Sequence, residues 1–288
     1  MREHQAHDIS FLTGVTQLCV NWLTCSALTL PTSGAALRFF VAQDAVVTNP
    51  GALTTLDVVE GAVQPAELPK LQSFAWRPGT FTRAAVPVPP GAETQLRVLS
   101  LFVRDLQADL ASFTGLTCLG VVGDPGADIA QVTTLAHLRR LVLSTFQEDP
   151  LDLSGLVSLT GLIAEESRVA RLPTSLVECR LSLWSGFDFS TLPALTWLRV
   201  TPHAAYEMTF PAALRRLVVG CNAFAKSNIA DIALERFECV TDTITPERLR
   251  ALPTTLLRIK GTFEPPSLED GLVDLFPWYG LPQGSLQR

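Results

Sequence analysis

Charge is scarce in this chain. Aspartate, glutamate, lysine and arginine make up 17% of its 288 residues, against about 25% in an ordinary soluble domain. The balance is acidic, with a formal net charge of -6. That argues against a general nucleic-acid binder. Asparagine occurs at Asn21, Asn49, Asn222 and Asn228 alone, and none of these heads an Asn-x-Ser/Thr acceptor site. The six cysteines (Cys19, Cys25, Cys118, Cys179, Cys221 and Cys239) include no Cys-x-x-Cys pair. This excludes the spacing of a zinc site and the density of a disulfide scaffold. Both features lead us to expect a reducing, cytoplasmic setting.

The motifs of common chemistry are missing too. The sequence holds no Gly-x-Gly-x-x-Gly, phosphate loop, His-Glu-x-x-His, calcium loop or Gly-x-Ser-x-Gly. His4 and His7 stand near the terminus without the further ligands a metal needs. Gly120, Gly123 and Gly126 lack the lysine and helix of a phosphate cradle and read as turn glycines. Glu165 and Glu166 are neighbours, so on a strand they point to opposite sides. His137 and His203 have no nucleophile placed beside them. The expectation is a protein without catalytic residues, metal or cofactor, and not an enzyme.

Hydrophobic residues are plentiful at 47%, so a large core can form and disorder is not expected. No charged residue occurs from Ile9 to Leu37. A signal or membrane anchor over residues 9–37 is one reading of that stretch. The other is the first coils of a repeat, since Gln17, Asn21 and several Ser and Thr interrupt it.

The repeat is the main signal. Leu-x-x-Leu-x-Leu recurs with Leu96, Leu116, Leu138, Leu195 and Leu214 in first place. Looser copies start at Leu159, Leu176, Leu234 and Leu256. Upstream, Leu53 and Leu71 head good copies, and Val15 and Leu37 acceptable ones. The closest starts, Leu37 and Leu53, lie 16 residues apart and the widest, Leu71 and Leu96, 25 apart. The fourth and sixth positions are two apart and share one side of a short strand. The first enters the same core from the preceding turn. One coil cannot bury that face alone, so coils must stack into a parallel sheet.

Many strands follow a Leu-Pro or Phe-Pro step, as in Leu172-Pro173-Thr174-Ser175-Leu176, Phe210-Pro211-Ala212-Ala213-Leu214 and Leu252-Pro253-Thr254-Thr255-Leu256. Proline lacks an N–H and fixes φ, which disfavours a helix there. Segments Asp128–Leu135 and Leu151–Leu156 could instead make short helical turns.

From Val15 to Gly261 these residues resemble the leucine-rich-repeat superfamily. The Leu-Pro-x-x-Leu coils resemble FNIP-type repeats of amoebae and large DNA viruses, and the Leu-Pro repeats of secreted bacterial ubiquitin-ligase effectors. The central coils are similar to the internalin type. The resemblance implies an α/β repeat: a leucine-rich-repeat solenoid with a continuous concave parallel β-sheet and a mostly non-helical or 3₁₀ convex side. It would span residues 1–262, with 263–288 as a C-terminal cap and tail. The family's turn asparagine survives only at Asn222; Asp124 and Asp242 could stand in, and Arg104, Phe146, Trp184 and His203 fill the slot elsewhere. Cys239-Val-Thr-Asp242 matches a ligase Cys-x-Asp motif only loosely and reads as structural.

The resemblance also implies a protein–protein interaction scaffold, with the partner on the concave face. A structural component of a larger assembly, such as a surface or viral particle, and a substrate adaptor of a ubiquitin ligase are the alternatives. The third and fifth positions of each motif face solvent. In the C-terminal half they carry Arg180, Trp197, Arg199, Arg216, Arg236, Arg258 and Lys260, chemistry suited to an acidic segment of a protein partner. Glu178, Glu235 and Glu238 could balance these cations within the sheet. In the N-terminal half Phe39, Val41, Val98 and Val142 would form an apolar strip. Neither nucleic acid nor membrane is expected as partner.

Overall fold

The spacing of the motif determines how the strands pair. In the computed structural model the described residues are 6–8, 17–23, 27–29, 36–41, 45–48, 54–59, 63–65, 70–77, 93–103, 109–123, 126–145, 149–165, 167–183, 187–202, 207–220, 227–244 and 250–263. The chain groups into two compact units, Met1–Pro173 and Thr174–Arg288.

The first unit carries eight main strands among the described residues: Gln17–Leu23, Ala36–Val41, Thr55–Val59, Ser73–Arg77, Val98–Val103, Cys118–Gly123, Arg140–Thr145 and Gly161–Glu165. Each pairs in parallel with the next. A second parallel layer runs through Ala6–Asp8, Ala27–Thr29, Ala45–Thr48 and Val63–Pro65. The uncharged N-terminal stretch therefore supplies short strands. No helix among the described residues is long and apolar enough to cross a membrane.

The second unit carries five main strands on the same plan: Glu178–Leu183, Trp197–Pro202, Arg216–Val219, Arg236–Ile244 and Arg258–Phe263. All pair in parallel with their sequence neighbours. The architecture is thus a parallel-strand solenoid of leucine-rich-repeat type, with very little helix.

The strands that start at Ser73, Val98, Cys118, Arg140 and Gly161 in the first unit, and at Trp197, Arg216, Arg236 and Arg258 in the second, begin at the same kind of junction. The carbonyl of the second motif residue accepts two N–H groups from the next coil. Arg97 O takes Thr117 N and Cys118 N at 2.9 Å each, and Thr196 O takes Arg215 N and Arg216 N at 2.9 and 3.0 Å. Just upstream a tight turn closes on the first motif leucine, as when Leu116 N donates to Phe113 O and Leu214 N to Pro211 O. Here Pro211 serves as acceptor, the one backbone role a proline keeps.

The core follows the template. Leu96, Leu99 and Leu101 are fully buried, as are Leu195, Leu198 and Val200. Behind the strands of the second unit, Phe189 and Phe210 stack at 6.2 Å between ring centroids, and Phe187 packs on Phe189 at 4.8 Å. The last coil has glycine at its sixth position. A Cβ on Gly261 would lie 3.0 Å from Ile244 Cδ1 and 3.2 Å from Cys239 Cβ, so the neighbouring strand fills the place of a side chain.

Three local expectations need correction or completion. The second coil does not start at Leu37: Leu37 pairs with Leu18 and Leu56, both fourth-position residues, and Phe39 pairs with Val58 in the sixth. Its start moves back to Gly34. The shift is odd, and an odd shift exchanges the two faces of a strand. Phe39 therefore takes the register of Val20 and Val58, and with Val41, two residues on, it leaves the rows counted as the apolar strip. Asp128–Leu135 falls largely within a 3₁₀ helix, Gly126–Thr134, as the sequence suggested. Leu151–Leu156 does so only in part: Leu151–Asp152 is a short strand paired with Val169–Arg171, Asp152 ends it by accepting from Ser154 N at 3.0 Å, and Leu153–Leu156 closes a single tight turn, Leu156 N donating to Leu153 O at 3.0 Å.

The family's turn-asparagine slot at 104, 124, 146, 184, 203 and 222 lies outside the described residues, as do His4, Glu166 and the segment 264–288. Other side chains tie successive coils together. Asn228 accepts from Phe210 N at 2.8 Å and donates to Phe210 O at 3.0 Å. Gln131 accepts from Leu110 N at 3.0 Å. Thr145 and Ser167 are a buried hydroxyl pair 3.0 Å apart. Cys239 is disulfide-bonded, and Cys118 and Cys179 are free.

Candidate functional site

The parallel register of the second unit converts a one-dimensional repeat into two lateral rows. Third-position residues line up as Glu178, Trp197, Arg216, Arg236 and Arg258. Fifth-position residues line up as Arg180, Arg199, Val218, Glu238 and Lys260. Neighbours within a row sit one strand apart, about 4.8 Å. All seven residues singled out from the sequence therefore lie on one sheet face, though in different situations.

Arg216, Arg236 and Arg258 are exposed and consecutive in their row. Among the described residues no carboxylate comes within ion-pair reach of any of them. Trp197, half-buried, adjoins Arg216. Lys260 is already neutralised, its Nζ lying 2.7 Å from Glu238 Oε1. Arg180 and Arg199 face each other in the other row. Arg180 is engaged by a further group, whereas Arg199 has its Nε buried without a hydrogen-bond acceptor among the described residues.

Two adjoining grooves open on this face. One, of about 470 Å³, is lined by Glu178, Thr196, Trp197, Arg215, Arg216 and Glu235. The other, of about 290 Å³, is lined in part by Trp197, Arg216, Arg236, Arg258 and Lys260. Trp197 and Arg216 belong to both. Arg215 Nη1 donates to the carbonyls of Ala212, Leu214 and Ala233 at 3.0, 3.1 and 3.4 Å. That side chain staples two turns and does not extend the cationic row.

Of the three glutamates that could balance the cations, only Glu238 pairs with one of the named residues. Glu178 and Glu235 line the first groove with no cation within ion-pair reach among the described residues. Register alone does not disclose this, because pairing depends on rotamers of long side chains. The groove residues Thr196 and Arg215 also escaped the sequence reading. Both occupy second positions, which alternate away from the rows considered.

On the first unit the described side chains of the corresponding face are mostly small or apolar. Val98 is 36% exposed, and Ser100, Gly120 and Val142 follow one another in register. Cys118 is half-buried there beside Arg140. Burial raises its thiol pKa, and the arginine charge opposes this. Among the described residues no three His, Cys, Asp or Glu side chains converge to hold a metal ion.

No family model matches the chain, and no curated protein matches it. Among solved structures it is similar to a leucine-rich-repeat protein of Leptospira interrogans, with 14% identity and a TM-score of 0.53. The likeness covers 88% of this chain and 78% of that one. At this identity the likeness concerns the fold alone, and with the strand register it identifies the architecture as a leucine-rich-repeat-like solenoid.

Proposed function

We propose that the protein is a non-catalytic recognition scaffold whose second unit binds a protein partner through an acidic segment on the face carrying Trp197, Arg216, Arg236 and Arg258. The observation that carries this reading is the row of three consecutive arginines without carboxylate partners among the described residues. Like charges side by side on a sheet destabilise it, so the row costs the fold something that self-packing does not return. Guanidinium groups offer planar, paired donors that suit carboxylates, and Trp and Arg dominate binding hot spots. Arg180, Arg199 and Lys260 flank the site as supporting cations. Within the solenoid, the Leu-Pro-x-x-Leu coils are read as FNIP-like and the central coils as internalin-like.

Affinity capture from the native source, with wild type and an Arg216→Glu/Arg236→Glu variant as baits, tests the reading. One stoichiometric partner, retained by wild type and lost by the variant, is expected. Equal retention by both baits would sink it.

A further inference from the structure

We infer that the second unit reads a bipolar peptide segment: a basic residue seated beside Glu178 against Trp197, followed by carboxylates along Arg216, Arg236 and Arg258. This rests on the protein-recognition reading and adds the composition and polarity of the segment.

The two grooves differ in charge. In the first, Glu178 and Glu235 lie on either side of Trp197 and Arg216, and Arg215 is turned to backbone carbonyls. A cation entering at its Glu178 end meets a carboxylate and, on the next strand, the Trp197 indole, a combination that attracts ammonium and guanidinium groups. In the second, three arginines stand without carboxylate partners among the described residues, and Glu238 is taken by Lys260. An anionic stretch is the complement. Because Trp197 and Arg216 line both grooves, one continuous ligand can cross from one to the other.

The row also sets a length. From Glu178 to Arg258 there are five register positions, which span roughly 19 Å at about 4.8 Å per strand. An extended peptide covers that in about six residues at ~3.3 Å each. Its alternate side chains face the sheet, and the long arginine stems absorb the mismatch in spacing. A uniformly anionic polymer fits less well. Single-stranded nucleic acid would set phosphates against Glu178 and Glu235, on a protein whose net charge is -6.

The test uses the full chain and two fluorescein-labelled peptides, Arg-Gly-Glu-Gly-Glu-Gly-Glu and the same peptide with Gln in first place, followed by anisotropy at low salt. Wild type is expected to bind the Arg peptide about tenfold more tightly, a gap of about 1.4 kcal/mol. A Glu178→Gln/Glu235→Gln variant should lose that gap, and Arg216→Gln/Arg236→Gln should lose both peptides. Circular dichroism confirms that each variant is folded. Equal binding of the two peptides by wild type, or a gap that survives in the glutamine variant, overturns the inference. So does a single-stranded oligonucleotide that displaces the Arg peptide as well as the unlabelled peptide does. If neither peptide binds while the captured partner still depends on Arg216 and Arg236, the bipolar segment is wrong and the recognition reading stands. If capture shows no such dependence, the recognition reading itself fails.

Discussion

Glu238 and Lys260 are register partners on adjacent strands, and their side chains meet at 2.7 Å. Two residues earlier on the same strands, Arg236 and Arg258 face each other as like charges. One sheet face thus holds a satisfied pair beside an unsatisfied one. Both pairs are solvent-accessible, so the ion pair stabilises the fold by no more than about 1 kcal/mol. Replacing Glu238 with Gln should lower thermal stability only slightly while releasing the Lys260 charge. Affinity for an acidic peptide is expected to rise about two- to threefold at low salt, with the gain lost at high salt.

Arg236→Glu should separate stability from binding. The new carboxylate would lie between Arg216 and Arg258 and turn two repulsions into attractions. Stability is expected to rise by about 0.5 kcal/mol while acidic ligands are lost. Urea denaturation measures the first effect and anisotropy the second; a destabilised variant would contradict the arrangement of the row.

The core behaves oppositely. Leu198 is fully buried beneath Trp197 and Arg199 in the sequence of one strand. Leu198→Ala should cost about 2–5 kcal/mol, whereas Arg216→Ala should stay within about 0.5 kcal/mol. Chemical denaturation compares the two.

Thr145 and Ser167 form a buried polar contact, with Ser167 Oγ also 3.2 Å from Thr145 N and from Thr145 O. Ser167→Ala strands the Thr145 groups and should cost about 1–3 kcal/mol. Adding Thr145→Val should recover part of that loss, because one of the stranded groups is then removed. Additive losses in a double-mutant cycle would show that the hydroxyls are not coupled.

Asp188 ends a short strand and caps the 3₁₀ turn Phe189–Thr191, accepting from Ser190 Oγ at 2.6 Å and Ser190 N at 2.9 Å. These bonds hold its carboxyl below the ordinary aspartate range. Asp152 does the same with Ser154. A depressed folded-state pKa adds stability above the unfolded carboxylate value, and that contribution disappears as pH falls through the folded one. Ser190→Ala should therefore raise the Asp188 titration midpoint toward the ordinary value, as followed by carboxyl NMR, remove the stability that Asp188 adds at neutral pH, and make the remaining stability less sensitive to acid.

Much of this fold could be read from the chain because hydrophobic spacing and strand register are the same information. Leu99, Leu119 and Leu141 fall in one row by count and by pairing. The reading failed at Leu37, where the first position is Gly34 and no large side chain announces the coil. The composition of the arginine face was legible for the same reason. Its electrostatics were not: Glu178, Glu235 and Glu238 look alike in sequence, and only side-chain geometry gives Lys260 to Glu238.

The twin N–H junction at the head of strands such as Ser73–Arg77 and Val98–Val103 has an evolutionary corollary. It pins the strand where the chain enters the sheet, whatever the length of chain between one strand and the next. Within the first unit, coil starts as close as Leu53 and Leu71 or as distant as Leu71 and Leu96 therefore deliver the same strand register. Insertions between strands can then accumulate within a unit while its sheet face behaves like movable type, each letter exchangeable without resetting the line.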